Sequence, residues 1–151
     1  MIKSSGHHKR SGKNSELVAK MYECFNRGDM DTIRKEVFAP DLEWRLPGRH
    51  PLSGTKHGAE EVLAFFAQLV KSGIHVDLVG IHDWGEDTVV EVHRGHSETG
   101  PVTLDVINCT HYHIKNGRIQ DVQVYVADQY VLDDFFNVVY QYKPIPERIA
   151  D

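Results

Sequence analysis

The sequence has little of what most specialised protein classes require. Its 151 residues include two cysteines, Cys24 and Cys109, which are too few for a disulfide framework and lack the spacing of a metal site. No uncharged apolar run approaches the roughly 18 residues that a membrane-spanning helix needs. The formal net charge is −5 and the only basic cluster lies between Lys3 and Lys13, so nucleic acid is a poor candidate partner. That segment also lacks the apolar stretch of a secretory signal, so we expect a cytoplasmic protein that binds neither nucleic acid nor membrane.

The composition is that of one globular domain. Apolar residues make up 40% and charged residues 26% of the chain, the mix of an ordinary folded protein. A chain of 151 residues can bury one core but is too short for two full domains. Residues 1–14 are polar, rich in glycine and serine and without periodicity, so we predict a disordered tail. The domain is predicted to span 15–137, and 138–151 to form an extended C-terminal arm.

Hydrophobic periodicity predicts three helices in the first half of the chain and a short one near its end. The first begins at Ser15 and ends at Gly28, a residue typical of a left-handed helix cap. Asp29 caps the second, which Pro40 closes. The third is the most clearly amphipathic and stops at Gly73. The last helix is predicted over 128–137.

Alternating apolar and polar residues predict the strands. They are expected at 42–46, 75–84, 88–96, 102–115 and 118–127, with 49–58 as a loop. Asn116-Gly117 is a type I′ hairpin signal. Because the later strands follow one another through short connections, the sheet is expected to be mostly antiparallel. The predicted fold class is α+β: three N-terminal helices packed in a curved sheet that forms an open cone, with a pocket at its unfilled end.

Several segments resemble SnoaL-like and ketosteroid-isomerase-like proteins. The resemblance runs from Ser15 to about Phe136. It implies the nuclear-transport-factor-2-like cone, a cystatin-like roll that is usually dimeric through the outer face of its sheet. This family contains enzymes as well as non-catalytic binding domains, so the fold alone does not settle the function. The segments are the helix–Gly-Asp–helix signature Asn26–Ile33, the strand-to-helix segment Trp44–Gly58, and the hairpin formed by Leu104–Asn108 and Asn116–Gln120.

The resemblance places the family's catalytic positions mostly on inert side chains. The isomerase tyrosine position falls on Met21, with Tyr22 beside it, the base position on Leu46, and the oxyanion-binding aspartic acid position on Asn108. A leucine cannot accept a proton and a methionine cannot donate a hydrogen bond. The acidic position of the SnoaL-like cyclases falls on Val124. We therefore expect no steroid isomerisation by the family's route.

Three polar residues remain as catalytic candidates. Asn108 is expected to face inward, where its NH₂ would bind a ligand carbonyl unless backbone or water satisfies it. His93 is the second candidate, because an unperturbed histidine side chain titrates near neutral pH, which suits acid–base chemistry. Val90 and Val92 alternate against it, so we expect His93 and Glu91 to face outward unless the strand contains a bulge. The third candidate is Tyr22.

The pocket lining and the other histidines follow from the same patterns. His50 and His57 lie in the predicted loop at the mouth of the cone, where they could contact a ligand or simply be surface residues. His111 and His113 are expected on the outer sheet face, and no third ligand is in register with them, so we expect no metal and no cofactor. The predicted lining consists of Met21, Tyr22, Trp44, Leu46, Asn108, Tyr112 and Val124.

Two functions from different classes fit these expectations. The first is a SnoaL-like binding protein whose pocket takes a small apolar molecule, and which forms a homodimer through the outer sheet face. The alternative is an enzyme of isomerase, cyclase, dehydratase or hydrolase type that acts on a small apolar carbonyl or hydroxyl compound by acid–base chemistry. A carboxylate or histidine in the pocket within about 3 Å of a second polar group would favour the enzyme.

Overall fold

The helices enclose one side of the molecule in this computed structural model, which describes residues 12–98, 102–140 and 145–149. The predicted disordered tail lies almost wholly outside the described residues. None of the described helices is both long enough and apolar enough to cross a membrane. The helices are α1 (Lys13–Arg27), α2 (Met30–Thr32), which continues into a π-helical segment (Ile33–Val37), α3 (Gly58–Lys71), α4 (Gln129–Val139) and α5 (Ile145–Ile149).

The first helices end where the sequence predicts. Gly28, with φ 72°, adopts the left-handed conformation, and its N–H donates to the carbonyl oxygen of Phe25. The Asp29 carboxylate accepts from the backbone N–H of Thr32 at 3.1 Å and so caps α2. Helix α1 begins at Lys13, two residues before the predicted start. Its first turn is polar, so apolar periodicity gave no signal there.

The sheet has six strands in the order β2-β1-β6-β5-β4-β3, and all neighbours are antiparallel except the parallel pair β1 and β6. This confirms the predicted mostly antiparallel, unclosed sheet. The strands are β1 (Phe38–Leu46), β2 (Gly54–His57), β3 (His75–Asp83), β4 (Thr88–Ser97), β5 (Leu104–Lys115) and β6 (Arg118–Val126).

Two strand predictions require correction. Strand β1 begins at Phe38, four residues before the predicted start, and Pro40 lies inside it rather than closing a helix. The register of β1 against β6 shifts between Phe38 and Glu43, and such an irregularity tolerates a proline. Strand β2 falls within the predicted loop. It is only four residues long, and its one buried side chain is Lys56, so it carries no hydrophobic alternation.

Aromatic side chains fix α1 and α3 against the concave face of the sheet. Phe66 of α3 meets Trp44 edge-on, with ring centroids 5.2 Å apart, and Phe25 of α1 in the same way at 5.4 Å. Phe38 joins the cluster at 5.9 Å from Phe66. Phe25, Trp44 and Phe66 of this cluster also line the space that remains between the helices and the sheet.

The C-terminal segment differs from the predicted arm. Helix α4 confirms the predicted last helix, and the Asp128 side chain caps it by accepting from the N–H of Val131. Beyond it the chain does not simply extend, because Ile145–Ile149 form α5, which packs against α3. The hydroxyl of Tyr140 donates to the backbone oxygen of Gln68 in α3.

Candidate functional site

A cavity of about 90 Å³ lies between helices α1, α3 and α4 and the concave face of the sheet. Most of its wall is aliphatic or aromatic, with Phe65 and Leu69 from α3 and Phe136 from α4. Such a wall suits an apolar ligand, and the polar groups among its lining residues would fix the ligand's orientation. All seven residues predicted to line the cavity do so, namely Met21, Tyr22, Trp44, Leu46, Asn108, Tyr112 and Val124.

The inward face of β4 carries a carboxylate and an imidazole, contrary to the prediction. Glu91 is fully buried, and His93 lines the cavity. The predicted alternation is correct, because Val90 and Val92 do lie on the opposite face. The error was to assign the valines to the core. Both are partly buried on the outer face, so their apolar character does not mark the inside. No bulge in β4 is needed, since the irregularity lies in β3, between Leu78 and Gly80.

Glu91 accepts hydrogen bonds at both carboxylate oxygens. The Tyr22 hydroxyl of α1 donates to Oε1 at 2.5 Å, and the Tyr112 hydroxyl of β5 reaches the same oxygen at 3.3 Å. Oε2 lies 2.7 Å from Nδ1 of His93. Among the described residues, His93 is the one basic side chain that pairs with this carboxylate. Three donors therefore offset the cost of burying the carboxylate.

Both tyrosines are held as neutral phenols. Loss of hydration raises the pKa of Tyr22 well above its ordinary value, and the negative charge of Glu91 and the neighbouring Tyr112 raise it further. Loss of hydration and then the Glu91 charge also raise the pKa of Tyr112 well above its ordinary value. At neutral pH the two hydroxyls therefore keep their protons and serve as donors to Glu91.

Asn108 completes the polar chain from the neighbouring strand. It lies directly opposite His93 in the ladder between β4 and β5, and its Nδ2 is 3.0 Å from Nε2 of His93. An amide nitrogen donates and cannot accept, so Nε2 is the acceptor in this pair. With the amide in this orientation, a neutral ring carries its proton on Nδ1 and donates it to Glu91. A carboxylate behind a histidine in this tautomer is the arrangement that orients a general base.

The chain matches the family model of the SnoaL-like domain over residues 18–122. This protein belongs to the SnoaL-like family. Among solved structures, it is similar to Bal32a from a soil-derived mobile gene cassette, with 31% identity, a TM-score of 0.77, and coverage of 82% of this chain and 96% of that one. A Xanthomonas campestris protein with a cystatin-like fold is 26% identical with a TM-score of 0.70, covering 82% of this chain and 98% of that one. An uncharacterised Mycobacterium bovis protein is 27% identical over 124 residues, or 80% of this chain and 94% of the relative.

This SnoaL-like protein carries its cavity carboxylate and imidazole on a different strand from the positions that the resemblance indicates. Met21, Leu46 and Val124 line the cavity at the implied catalytic positions, but none of them can transfer a proton. The carboxylate and the imidazole come from β4 instead. The sequence correctly placed Glu91 on the same face of the strand as His93. Because that face was expected to be outside, Glu91 was not among the catalytic candidates.

Four other histidines considered in the sequence, namely His50, His57, His111 and His113, are not among the residues that line the cavity. His50 is buried, accepts from the backbone N–H of Leu52 at 3.1 Å, and packs its ring 4.8 Å from that of Phe136. His57 is exposed on β2. His111 and His113 lie on the outer face of β5, as predicted. Within the described part of the chain, no three histidine, cysteine or acidic side chains are grouped so that they could hold a metal ion.

Proposed function

We propose that this SnoaL-like protein is an enzyme that binds a small, largely apolar carbonyl or hydroxyl compound and moves a proton on it with His93. The observation that carries the proposal is the hydrogen-bonded chain Glu91–His93–Asn108 in the wall of a largely apolar cavity, with separations of 2.7 Å and 3.0 Å. A histidine this close to two polar partners meets the condition that favours the enzyme over the binding protein.

The proposed mechanism begins with burial of the apolar part of the ligand against the aromatic wall. The carbonyl or hydroxyl group then turns toward the polar chain. Nε2 of His93 has one lone pair, to which the Asn108 NH₂ group donates at rest. Once that amide has turned away, Nε2 accepts a proton, either from a carbon next to the carbonyl or from the hydroxyl, and the ring becomes an imidazolium. The Glu91 carboxylate stabilises that positive charge through Nδ1–H. Return of the proton from Nε2 to another atom of the ligand completes the reaction and restores the neutral ring.

Tyr22 and Tyr112 would act on the carboxylate rather than on the ligand. Their hydroxyls both donate to Oε1 of Glu91, which leaves Oε2 for His93. This arrangement fixes the orientation of the carboxylate. A fixed carboxylate lowers the reorganisation needed when the ring gains its charge.

A non-catalytic binding protein is the second candidate, and a specific observation favours it. The three cavity positions that correspond to catalytic groups elsewhere in the family hold Met21, Leu46 and Val124. The same apolar wall would hold a ligand without reacting with it. In either case, the route used by the steroid isomerases is not expected here.

The test combines binding with proton transfer. Apolar lactones, cyclic ketones, steroids and polyketide fragments would be screened by thermal shift, because a ligand of the folded state raises the melting temperature. Compounds that stabilise the protein would then be followed in D₂O by NMR for deuterium uptake next to the carbonyl or for isomerisation. We expect uptake with the natural chain, a loss of about 10²-fold or more in His93→Gln, and no loss in His111→Gln on the outer sheet face.

The outcomes separate the two candidates. Stabilisation by a compound that shows no proton exchange, with equal binding by the His93→Gln chain, would favour the binding protein. Exchange that is equal in the natural chain and in His93→Gln would contradict the proposed role of this histidine. If no compound stabilises the protein and none exchanges a proton, the result counts against both candidates.

A further inference from the structure

The amide oxygen of Asn108 is an unused hydrogen-bond acceptor. Nδ2 of the same side chain lies 3.0 Å from Nε2 of His93, whereas Oδ1 is buried and has no hydrogen-bond partner among the residues that the structure describes. An unpaired acceptor in a buried site costs free energy that most native structures avoid. The sequence predicted a ligand role for this NH₂ group, but His93 already engages it.

Proton exchange at His93 is confined to one nitrogen. Nδ1 is held 2.7 Å from Oε2 of Glu91 and keeps its proton in both charge states of the ring. Nε2 is an acceptor in the neutral ring and becomes a donor when the ring is protonated. With the Asn108 amide unchanged, a protonated Nε2 would then face an NH₂ group, and two donors would oppose each other in a buried site.

A half-turn of the Asn108 amide about its terminal bond would remove the opposition between its NH₂ group and the protonated Nε2. The amide oxygen and nitrogen have nearly the same size and shape, so a half-turn of the terminal amide exchanges acceptor for donor without repacking. No hydrogen bond from the described residues holds Oδ1 in place. Gly95 lies on the inward face of β4 beside the amide, and a Cβ there would lie 3.5 Å from Nδ2. A larger side chain at this position would crowd the turning group.

We propose that Asn108 is a positioning residue that pairs with both protonation states of His93. Its NH₂ donates to Nε2 of the neutral ring, and its carbonyl oxygen accepts from Nε2–H of the imidazolium after a half-turn of the amide. The importance of this pairing for a reaction rests on the proposed acid–base role of His93. The pairing itself requires no ligand.

Few other charged or titratable groups face His93. Among the described residues, Glu91 on its own strand, Tyr22 from α1 and Tyr112 from β5 are the titratable groups on this side of the sheet near the ring. The side chains that α3 and β3 contribute to the cavity are apolar. The Arg94–Asp105 pair lies on the other face of the sheet. The response of the ring to pH should therefore depend on Glu91 and Asn108.

The decisive experiment is NMR of the full chain labelled with ¹⁵N, with His93 assigned from the spectrum of His93→Gln. Above the pH at which His93 titrates, we expect an Nδ1–H tautomer and a scalar coupling across the hydrogen bond between Asn108 Nδ2 and His93 Nε2. Below that pH, Nε2 should carry a proton and the coupling should vanish. An Nε2–H tautomer in the neutral ring, a missing coupling at high pH, or a ring that stays neutral throughout the folded range would each overturn the proposal.

Two variants of Asn108 provide an independent measurement. In Asn108→Asp an ionised carboxylate can only accept, which favours the imidazolium, so His93 should titrate about one pH unit or more higher than in the natural chain. In Asn108→Leu neither the neutral His93 ring nor the imidazolium has a hydrogen-bond partner at Nε2. The imidazolium loses the stronger hydrogen bond, so the ring should titrate at lower pH. The titration of His111, on the outer face of β5, should be unchanged in both variants.

Equal titration of His93 in all three chains would contradict the pairing. If either variant fails to fold, the coupling in the natural chain still decides the question. The result is also distinct from a failure of the proposed function. If the chain shows the coupling and its loss on protonation but exchanges no ligand proton, the pairing of Asn108 with His93 is supported and the proposed enzymatic function is contradicted.

Discussion

The Tyr22 hydroxyl donates to Glu91 at 2.5 Å across 69 positions of sequence, and so joins helix α1 directly to strand β4. The carboxylate that would orient His93 is therefore also a tertiary contact between the helical layer and the sheet. Substitutions here should affect stability and proton transfer together, and each measurement must include both.

Glu91→Gln should reduce proton transfer far more than stability. The amide keeps the shape of the side chain but cannot carry the charge that stabilises the imidazolium. We expect a rate loss of about 10²- to 10⁴-fold and a loss of about 1–3 kcal/mol in the free energy of unfolding, because one donor pair becomes mismatched. Deuterium uptake and urea unfolding measure these quantities. Glu86→Gln in the exposed turn before β4 is the matched control, and an equally large rate loss in that variant would contradict the prediction.

Alkaline pH should destabilise the protein through Tyr22 and Tyr112. Their folded pKa values are raised above those of the unfolded chain, mainly by loss of hydration, so the folded state keeps phenol protons that the unfolded chain releases near pH 10. Their contribution to stability is complete below about pH 10 and is lost as the pH rises toward the folded values. Urea unfolding between pH 8 and 11 should show this loss, and Tyr22→Phe should reduce it.

The exposed Tyr130 supplies the control for that measurement. Tyr130→Phe should leave the alkaline decline of the natural chain unchanged. A decline of the same size in Tyr22→Phe, in Tyr112→Phe and in the natural chain would show that the two buried phenols are not its cause.

Gly48→Ala should cost more stability than its φ angle alone explains. Gly48 has φ 116°, and a Cβ there would lie 2.2 Å from Nε2 of Gln129 and 2.3 Å from Oδ1 of Asp133. Those side chains connect α4 to the end of β1 through Pro47 and Arg49. We expect a loss of roughly 1–3 kcal/mol beyond the backbone strain, measured by urea unfolding.

Gly85→Ala provides the matched comparison for Gly48→Ala. Gly85 also has a positive φ, 78°, but no described atom outside its immediate chain neighbours would lie within 4 Å of an alanine Cβ there. This variant should therefore show the backbone strain without the steric clash. Equal losses in the two variants would mean that Gln129 and Asp133 move aside freely.

We also propose that the outer sheet face pairs with a second copy of the chain, as the family resemblance implies. Ile107 on β5 and Tyr125 on β6 leave 45% and 58% of their surface exposed on this face. Light scattering should give the mass of two chains for the natural protein and of one chain for Ile107→Asp. Val70→Asp, an exposed substitution on α3, should remain dimeric. A natural chain that scatters as a monomer would refute this interface.

Sequence reasoning recovered the fold and the cavity lining because both depend on periodicity and on the order of motifs. The alternation of β5 correctly placed Asn108 and Tyr112 inside. The same reasoning failed for β4, since Val-Glu-Val-His shows which side chains share a face but not which face is buried. Val90 and Val92 are apolar but lie partly buried on the outer face, so their apolar character wrongly indicated the core.

Two further features could not be predicted from a single sequence. Strand β2 was missed because its buried side chain is Lys56, whose Nζ donates to the carbonyl oxygens of Leu52 and Gly54. A lysine so placed is indistinguishable in a sequence from a surface residue. The contact between Tyr22 and Glu91 depends on how α1 crosses the sheet, which local patterns do not specify.

The parallel pairing of β1 with β6 has a consequence for how the protein folds. It brings together residues far apart in the chain, such as Arg45 and Asp121, which are separated by 76 positions and form an ion pair across the seam. Contacts of such long range are slow to form, because the chain loses the entropy of closing a large loop before the contacts stabilise it. The hairpin β4–β5 is local by comparison. Glu91, His93 and Asn108 should thus come together early, whereas the wall formed by Trp44 and Leu46 should form late. A newly made chain should therefore assemble these polar groups before it has an enclosed space for a ligand.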